Sequence, residues 1–403
     1  MRRLLIIGAG LEQIEAYKIA KKMGLYVIGT DINPKAPAFR YADEKIIAST
    51  RDVIDTVAKV KEYTKSNQIS GVMTIANDVP LTVATVATEF NLLGISIKSA
   101  QLAADKILMK KAFSKYQVRT PDFWKIKNTK ELYSLVDKKN LPLILKPSDG
   151  RGGRGVILID EEVNVEWAWR ESIKHSENKI LILEKFEFGP QLSAEGIFLD
   201  KVFIPIAFAD RNYDNLSETK PHIVEDGGVI PSRFQGEILK EISILIQRAA
   251  LALDISWGTV KADIVITKNG PKIIELAARL SGNYLATHHI PMVYGVNIVK
   301  ALIKMSIGDK VNKNELQVKQ NKYLGVRYFF PPSGKIICIK GINYVERLNY
   351  VRMFKLYKKI GDIQMRITDH TKRAGTIICE GPDYNTAKQR VEDAVSKIVF
   401  IMG

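Results

Sequence analysis

Cysteine is nearly absent: only Cys338 and Cys379 occur in a chain of 403 residues. Both sit in apolar, strand-like runs without metal-ligand spacing, so neither a disulfide framework nor a thiolate metal site is expected, and a cytoplasmic location is. Long hydrophobic runs are also missing. Nothing approaches the ~18 apolar residues that span a bilayer, so no membrane partner is expected. The opening Met1-Arg2-Arg3 with Leu4–Ile7 is too short for a signal peptide, and Gly8-Ala9-Gly10 and Glu12 interrupt it, so it reads as a buried first strand. Also lacking is any stretch that combines dense basic residues with stacking aromatics. That absence bears on the formal net charge of +16, half of which comes from residues 315–403, with 16 basic and 8 acidic side chains. The excess reads as lysine-rich solvated surface, and nucleic acid is not an expected partner.

A dinucleotide fingerprint is incomplete as well. Gly8 and Gly10 follow the first strand and Asp31 stands about twenty residues on, as that motif requires. Position 13, however, is Gln where close helix–strand packing wants a third glycine.

What is present is ordinary globular material, 46% hydrophobic and 26% charged. Its length implies two or three domains. Over 1–100 short apolar strands alternate with amphipathic helices, which predicts a doubly wound parallel sheet, an α/β unit. A lysine-rich helix is expected over 101–117. From 141 the pattern turns to hairpins, a long helix follows at 237–253, and another hairpin at 262–276. From Tyr323 the chain reads as a small β-rich α+β domain ending in a helix over 384–400. The expected limits are 1–100, 101–314 and 315–403, with 118–196 as a mobile lobe of the middle unit.

Chemistry concentrates in three segments. Between two apolar runs, Lys146-Pro-Ser148-Asp-Gly150-Arg-Gly152-Gly153-Arg-Gly155 holds four glycines in six residues. Glycine lets successive backbone N–H groups turn toward an oxyanion, and Lys146 adds a point charge for a phosphate. No Gly-Lys-Ser/Thr follows, so this is not a Walker A loop. A second strand runs into Glu184-Lys185-Phe186, a candidate purine slot. In the third segment, Asn269-Gly270 signals a hairpin that brings Asp263 within one residue of facing Glu275. Two carboxylates at cross-strand range repel each other, and a hard cation relieves them: Mg²⁺ takes one or two carboxylates and completes its shell with phosphates and water. Arg279 follows at once. His288-His289 reads as structural, while His222, near Glu225, is a candidate for an acceptor pocket. The loop 210–232 and Asn77-Asp78 are expected to set specificity.

In this order, Asp105-Lys106, Lys146 with its glycine loop, Glu184-Lys185-Phe186, Asp263 to Glu275, then Arg279, the chain resembles the ATP-grasp superfamily over essentially its whole length. The glycine loop is similar to that of biotin carboxylase. The tail, with Arg327-Tyr-Phe-Phe-Pro-Pro and Arg373-Ala-Gly375, is similar to carboxylate–amine ligases of the L-amino-acid ligase type. The resemblance implies a two-lobed ATP clamp between the N-terminal sheet and a closing third domain. It implies Lys106 and Lys146 on ATP phosphates, and Ser148, Gly150, Gly152, Gly153 and Gly155 closing over them. Glu184 and the Lys185-Phe186 backbone would hold adenine, Gln191 the ribose, and Asp263 and Glu275 Mg²⁺ or Mn²⁺. Arg279 would stabilise the transferring phosphate and Arg327 would reach in from the third domain. Gln191 replaces a common acid, which implies a weaker hold on the ribose, and Ala277 replaces a common Asn, so fewer protein groups are expected on the metal. The implied reaction joins a small carboxylate and an amine through an acyl phosphate, with carboxyphosphate or formyl phosphate chemistry as the alternative. Similar enzymes are commonly homodimers.

Overall fold

Alternation along the first strand decides how the N-terminal sheet is covered. In Arg3–Ile7, Leu4 and Ile6 pack with Ala16, Tyr17 and Ala20 of the helix Ile14–Lys22, whereas Leu5 and Ile7 pack with Val60 and Val86 on the other face. Both faces are therefore buried, as a parallel sheet requires. The strand lies between Tyr26–Asp31, itself paired with Glu44–Ile47, and Gly71–Met73, all parallel. In the computed structural model, which describes residues 1–138 and 141–403, the Gln13 side chain packs into the glycine turn after this strand. Gln13 Nε2 donates to the Ile75 carbonyl at 2.8 Å, and a Cβ on Gly10 would stand 2.8 Å from Gln13 Oε1. Asp31, the residue a ribose would need, accepts the Ala9 N–H at 3.1 Å.

The helix expected over 101–117 is two helices, Ile97–Ala104 and Lys106–Lys115. Asp105 breaks it because its carboxylate accepts the N–H groups of Ile107 and Leu108 and so caps the second helix. Next comes a four-stranded lobe, in the order Phe123–Ile126, Leu181–Lys185, Leu143–Pro147, Ile157–Ile159. Leu143 and Leu145 enter its core with Ile157, Ile159, Leu181 and Leu183. The lobe stops short of the limit expected at 196, because Gln191–Leu199 pairs with Val202–Arg211 and Gly258–Thr267 in the next sheet, which Gly270–Ala277 completes. The helix Glu237–Ala252 and Met109 and Phe113 of the capped helix cover that sheet from behind.

One element crosses the limit expected at 315 and another the limit at 100. Gly227–Ile230 pairs with Tyr323–Tyr328, which pairs with Gly375–Gly381 and, beyond it, Val351–Leu356. The helix Ile298–Ser306 returns to the N-terminal sheet, so close that a Cβ on Gly71 would stand 2.3 Å from the Ser306 carbonyl oxygen. The last helix, Tyr384–Ser396, ends earlier than expected, and Val399–Met402 forms a strand against Gly334–Lys340. Among the described residues, no helix is long and apolar enough to cross a membrane.

Candidate active site

A cleft of about 780 Å³ opens between the lobe, the antiparallel sheet, the N-terminal loops and the third domain. Its floor is set by one β-bulge. From the turn, Thr267 pairs with Gly270 and Ile264 with Ile273; between Ile264 and Asp263 the register shifts, and Asp263 then faces Glu275. Without that shift Asp263 would face Ile274 and the two carboxylates would lie on opposite faces. Ser193 is the partner of Asp263 on the next strand, and its hydroxyl donates to Asp263 Oδ1 at 2.9 Å. Two cations also hold Asp263: Arg211 at 2.8 Å and Lys261 at 2.5 Å. Burial disfavours its ionised form, but Arg211 and Lys261 overcome this and hold its pKa well below the usual carboxylate range. Glu275 is freer, meeting Lys106 Nζ at 3.5 Å.

Lys106 begins the helix that Asp105 caps, and its Nζ also donates to the Gly150 carbonyl at 2.6 Å. One ammonium thus ties the glycine loop to the floor. Gly152 and Gly153 take positive φ of 62° and 75°, conformations that glycine adopts without strain. The His370 N–H of the third domain donates to the Gly152 carbonyl at 3.2 Å, so the loop is closed against that domain. In the strand beneath, Ile144 and Lys146 face the cleft, opposite to Leu143 and Leu145. Arg279 leaves the floor strand and donates to Asp78 Oδ1 at 2.6 Å. Burial works against the charged Asp78, and Arg279 overcomes it, bringing its pKa down to about 2. Glu12, from the first glycine turn, accepts the Asn283 N–H at 2.8 Å.

Residues 103–283 match the ATP-grasp domain family, residues 4–98 the PylC-like N-terminal domain and residues 327–403 the L-amino acid ligase C-terminal domain 2. Residues 103–283 thus form an ATP-grasp domain, and two further ligase-type domain models flank it. It is 26% identical over 371 residues to the uncharacterized protein y4rH of Sinorhizobium fredii, covering 89% of this chain and 74% of that one. It is 26% identical over 278 residues to the alanine–anticapsin ligase of Bacillus subtilis, covering 62% of this chain and 56% of that one. The crystal structure of an L-amino acid ligase from Bacillus licheniformis matches with a TM-score of 0.84 over 100% of this chain and 99% of that one, at 18% identity, a likeness of fold.

The expected site residues divide. Lys106, Lys146, Gly150, Gly152, Gly153, Asp263, Glu275 and Arg279 line the cleft. Ser148, Gly155, Glu184, Lys185, Phe186, Gln191 and Arg327 are not among its lining residues. Ser148 is fully buried at the base of the loop, where Asn178 Nδ2 donates to its hydroxyl at 2.8 Å. Gly155 packs against Pro147 and Ser172 where the loop returns to its sheet. The Glu184 carboxylate lies on the same sheet face as its cross-strand partner Ile144 and is taken up by Lys146 and Lys110. The N–H groups of Lys185 and Phe186 are spent on the carbonyls of Asp122 and Pro142. The Gln191 amide oxygen accepts the Tyr213 hydroxyl at 3.0 Å.

Arg327 is the larger correction. Its guanidinium turns away from the cleft to Glu392 at 2.8 Å and Asp214 at 3.6 Å. Val326 and Tyr328, its chain neighbours, line the cleft instead; alternation along a strand sends the arginine to the other face. The arginine that the third domain does bring to the cleft is Arg373. His222 is buried edge-on against Trp167 and is likewise absent from the lining, whereas Ile223, Glu225 and His289 are present. Burial lowers the pKa of His289 to about 3, so its imidazole is neutral.

For a divalent cation the donors are hard oxygens. Among the described residues no group of three or more His, Cys, Asp or Glu could hold a metal. Two opposed carboxylates suit Mg²⁺, which draws its remaining ligands from phosphates and water. Asp263 already serves Arg211 and Lys261, so Glu275 is the more available donor.

Proposed function

We propose that this chain is a Mg²⁺-dependent ligase that activates a carboxylate with ATP and joins it to an amine, releasing ADP and phosphate. The observation that carries this reading is the facing pair Asp263 and Glu275 on the cleft floor, beneath a glycine loop that Lys106 ties to it. Ile144 and Val156 would take the base of ATP, and Gly152, Gly153, Lys106 and Lys146 its phosphates. Asp263 and Glu275 would hold Mg²⁺, which would supply neutralisation of phosphate charge. Arg279, kept charged and oriented by Asp78, meets the charge that develops on the transferring phosphoryl oxygens. The closed loop excludes water, so the acyl phosphate reaches the amine rather than hydrolysing. The amine nitrogen bonds to the acyl carbon as its bond to the phosphate oxygen breaks, and the proton the amine loses leaves with the phosphate.

The test is an ADP-release screen over paired carboxylic acids and amines, with products read by mass spectrometry. Release that requires one acid and one amine, together with a product heavier than the acid by the amine less water, is expected. Release supported by bicarbonate or formate in place of the acid would overturn the amide-forming reading.

A further inference from the structure

Gly334–Lys340 is the middle strand of a small sheet in the third domain, between Ile363–Gln364 and Val399–Met402. One face of this sheet is spent on the core. Ile336 is fully buried, and Ile339 and its cross-strand partner Phe400 pack against the cluster around Phe329 and Val345. Alternation sends the other side chains outward. Lys335 is paired with Ile363 and Lys340 with Val399, both pairs on the outer face. A bulge between Ile336 and Cys338 makes Ile337 the extra residue of the strand and leaves it outside as well. Ile337, Ile363 and Val399 are 55, 59 and 48% exposed. Ile360 and Met365, on either side of Ile363–Gln364, are exposed too. The turn that carries Ile360 lies along the same middle strand, since the Gly361 N–H donates to the Ile336 carbonyl at 2.8 Å.

Apolar side chains gathered around one strand differ from the single scattered ones that every surface shows. The charges among them have one sign. Lys335, Lys340 and Lys359 are exposed, and among the described residues none of the three forms an ion pair. Asp362 is the acid of the turn, and its carboxylate accepts the Lys359 N–H at 3.0 Å. A second copy does not suit such a face, because a two-fold contact sets lysines against lysines. A protein partner suits it little better, since protein interfaces are depleted of lysine and enriched in aromatic residues and arginine. Aliphatic side chains among unpaired lysines match a surface that is anionic outside and apolar just beneath.

We propose that this face of the third domain docks on an anionic lipid surface. Lys335, Lys340 and Lys359 meet the lipid phosphates, and Ile337, Ile363 and Val399 dip among the headgroups. The lack of long apolar runs excludes a membrane span, not a peripheral contact of this kind. The proposal is independent of the ligase reading. None of these six residues lines the cleft, so docking leaves the cleft uncovered by its own contact residues.

The experiment is co-sedimentation of the full chain with vesicles of phosphatidylcholine, alone or with about one third phosphatidylglycerol. Wild type should bind the anionic vesicles about tenfold or more tightly than the neutral ones, and less in high salt. Lys335→Glu with Lys340→Glu should weaken that binding by about tenfold or more. Ile337→Ser with Ile363→Ser should weaken it by about fivefold or more. Lys98 and Lys268 are exposed lysines outside the third domain. Changing both to Glu alters the net charge equally and should leave binding within about twofold. Cys338 lies on the docking face and Cys379 is buried, so maleimide labels Cys338, and labelling should slow when anionic vesicles are added. All substituted side chains are exposed, and unchanged melting temperatures verify that the variants fold. The lysine pair and the isoleucine pair are read separately, so either carries the measurement if the other does not fold. The proposal is overturned if wild type ignores anionic vesicles, if the Lys98 and Lys268 pair weakens binding as much, or if Cys338 labels equally fast with vesicles. It also falls if the isoleucine pair breaks a dimer that wild type forms in solution. Binding to polyglutamate but not to vesicles would assign the face to an acidic protein instead and overturn it equally.

Discussion

Lys146 Nζ and Lys110 Nζ share one carboxylate oxygen, Glu184 Oε1, at 2.9 and 3.3 Å. All three side chains are buried. Burial pushes the Lys110 ammonium down to about 8 despite the pull of Glu184. Burial also opposes the charge on Glu184, and Lys110 and Lys146 overcome it, holding its pKa below the ordinary value. Removing the shared acid leaves two buried ammonium groups facing each other. Glu184→Gln is expected to cost about 3–5 kcal/mol of stability, read from urea unfolding. An unchanged unfolding midpoint would mean that the two lysines do not depend on it.

Lys146→Ala separates the other way. Glu184 keeps Lys110, so the stability loss is smaller, while the phosphate end of the cleft loses a cation. A loss of roughly 2–4 kcal/mol in transition-state stabilisation is expected, similar to removal of one strong oxyanion donor. Turnover and ATP affinity on the same preparation check it, and unchanged values in both would remove Lys146 from the site.

Glu275→Gln and Asp263→Asn should part company for a structural reason. Among the described residues Glu275 pairs with Lys106 alone, at 3.5 Å, whereas Asp263 anchors Arg211 and Lys261 and accepts from Ser193. Glu275→Gln should abolish ADP formation and weaken Mn²⁺ binding to the ADP complex, read by electron paramagnetic resonance, with little change in melting temperature. Asp263→Asn should lose activity and lower the melting temperature together. Normal metal affinity in Glu275→Gln would sink the assignment. Chelation of the metal should stop ADP release in the wild type.

The sequence carried the order of the phosphate-end residues well, because their signals are local. A glycine-rich loop, a hairpin turn and an amphipathic pattern each lie within a few residues. What it did not carry depends on non-local geometry. The bulge that lets Asp263 face Glu275 has no residue signature in the strand. Which of Arg327 and Arg373 enters the cleft depends on strand parity and on the pairing of Tyr323–Tyr328 with Gly227–Ile230, a partner nearly a hundred residues away. Glu12 was hidden in a turn that resembles a dinucleotide motif, and its role follows only from the return of Asn283 to that turn. Arg373 was visible as part of Arg373-Ala-Gly375 but carried no sign of its burial.

Glu195 offers a pH test. It is fully buried, one oxygen accepts the Ser281 N–H at 2.7 Å, and the other has no partner among the described residues. Burial raises its pKa from 4.5 to about 7. Between those values the folded protein keeps a proton that the unfolded chain releases. Its contribution to stability is therefore complete below pH 4.5 and is lost as pH rises through 7. The wild type minus Glu195→Gln difference in unfolding free energy should fall by roughly 3 kcal/mol between pH 5 and pH 8. A difference that stays flat over that window would show that Glu195 is ionised throughout.

Arg327 gives the sharpest contrast between sequence and structure. As a cleft residue it would bind an anion bidentately, and Arg327→Lys would remove most activity. In the fold its guanidinium serves Glu392 and Asp214 on the far side of the strand, and it also donates to the Val326 carbonyl at 3.1 Å. Glu392 is 42% exposed at its side chain and Asp214 is 67% exposed, so neither acid is stranded in a dry interior when the arginine changes. Arg327→Lys should then leave turnover within about threefold and cost only about 0.5–1.5 kcal/mol, since a lysine keeps the charge and most of the packing. Arg327→Ala removes a long buried stem and should cost about 1–3 kcal/mol, with KM for both substrates unchanged. The measurements are urea unfolding and initial rates on the same preparations. Loss of most activity in Arg327→Lys with stability intact would return this arginine to the chemistry.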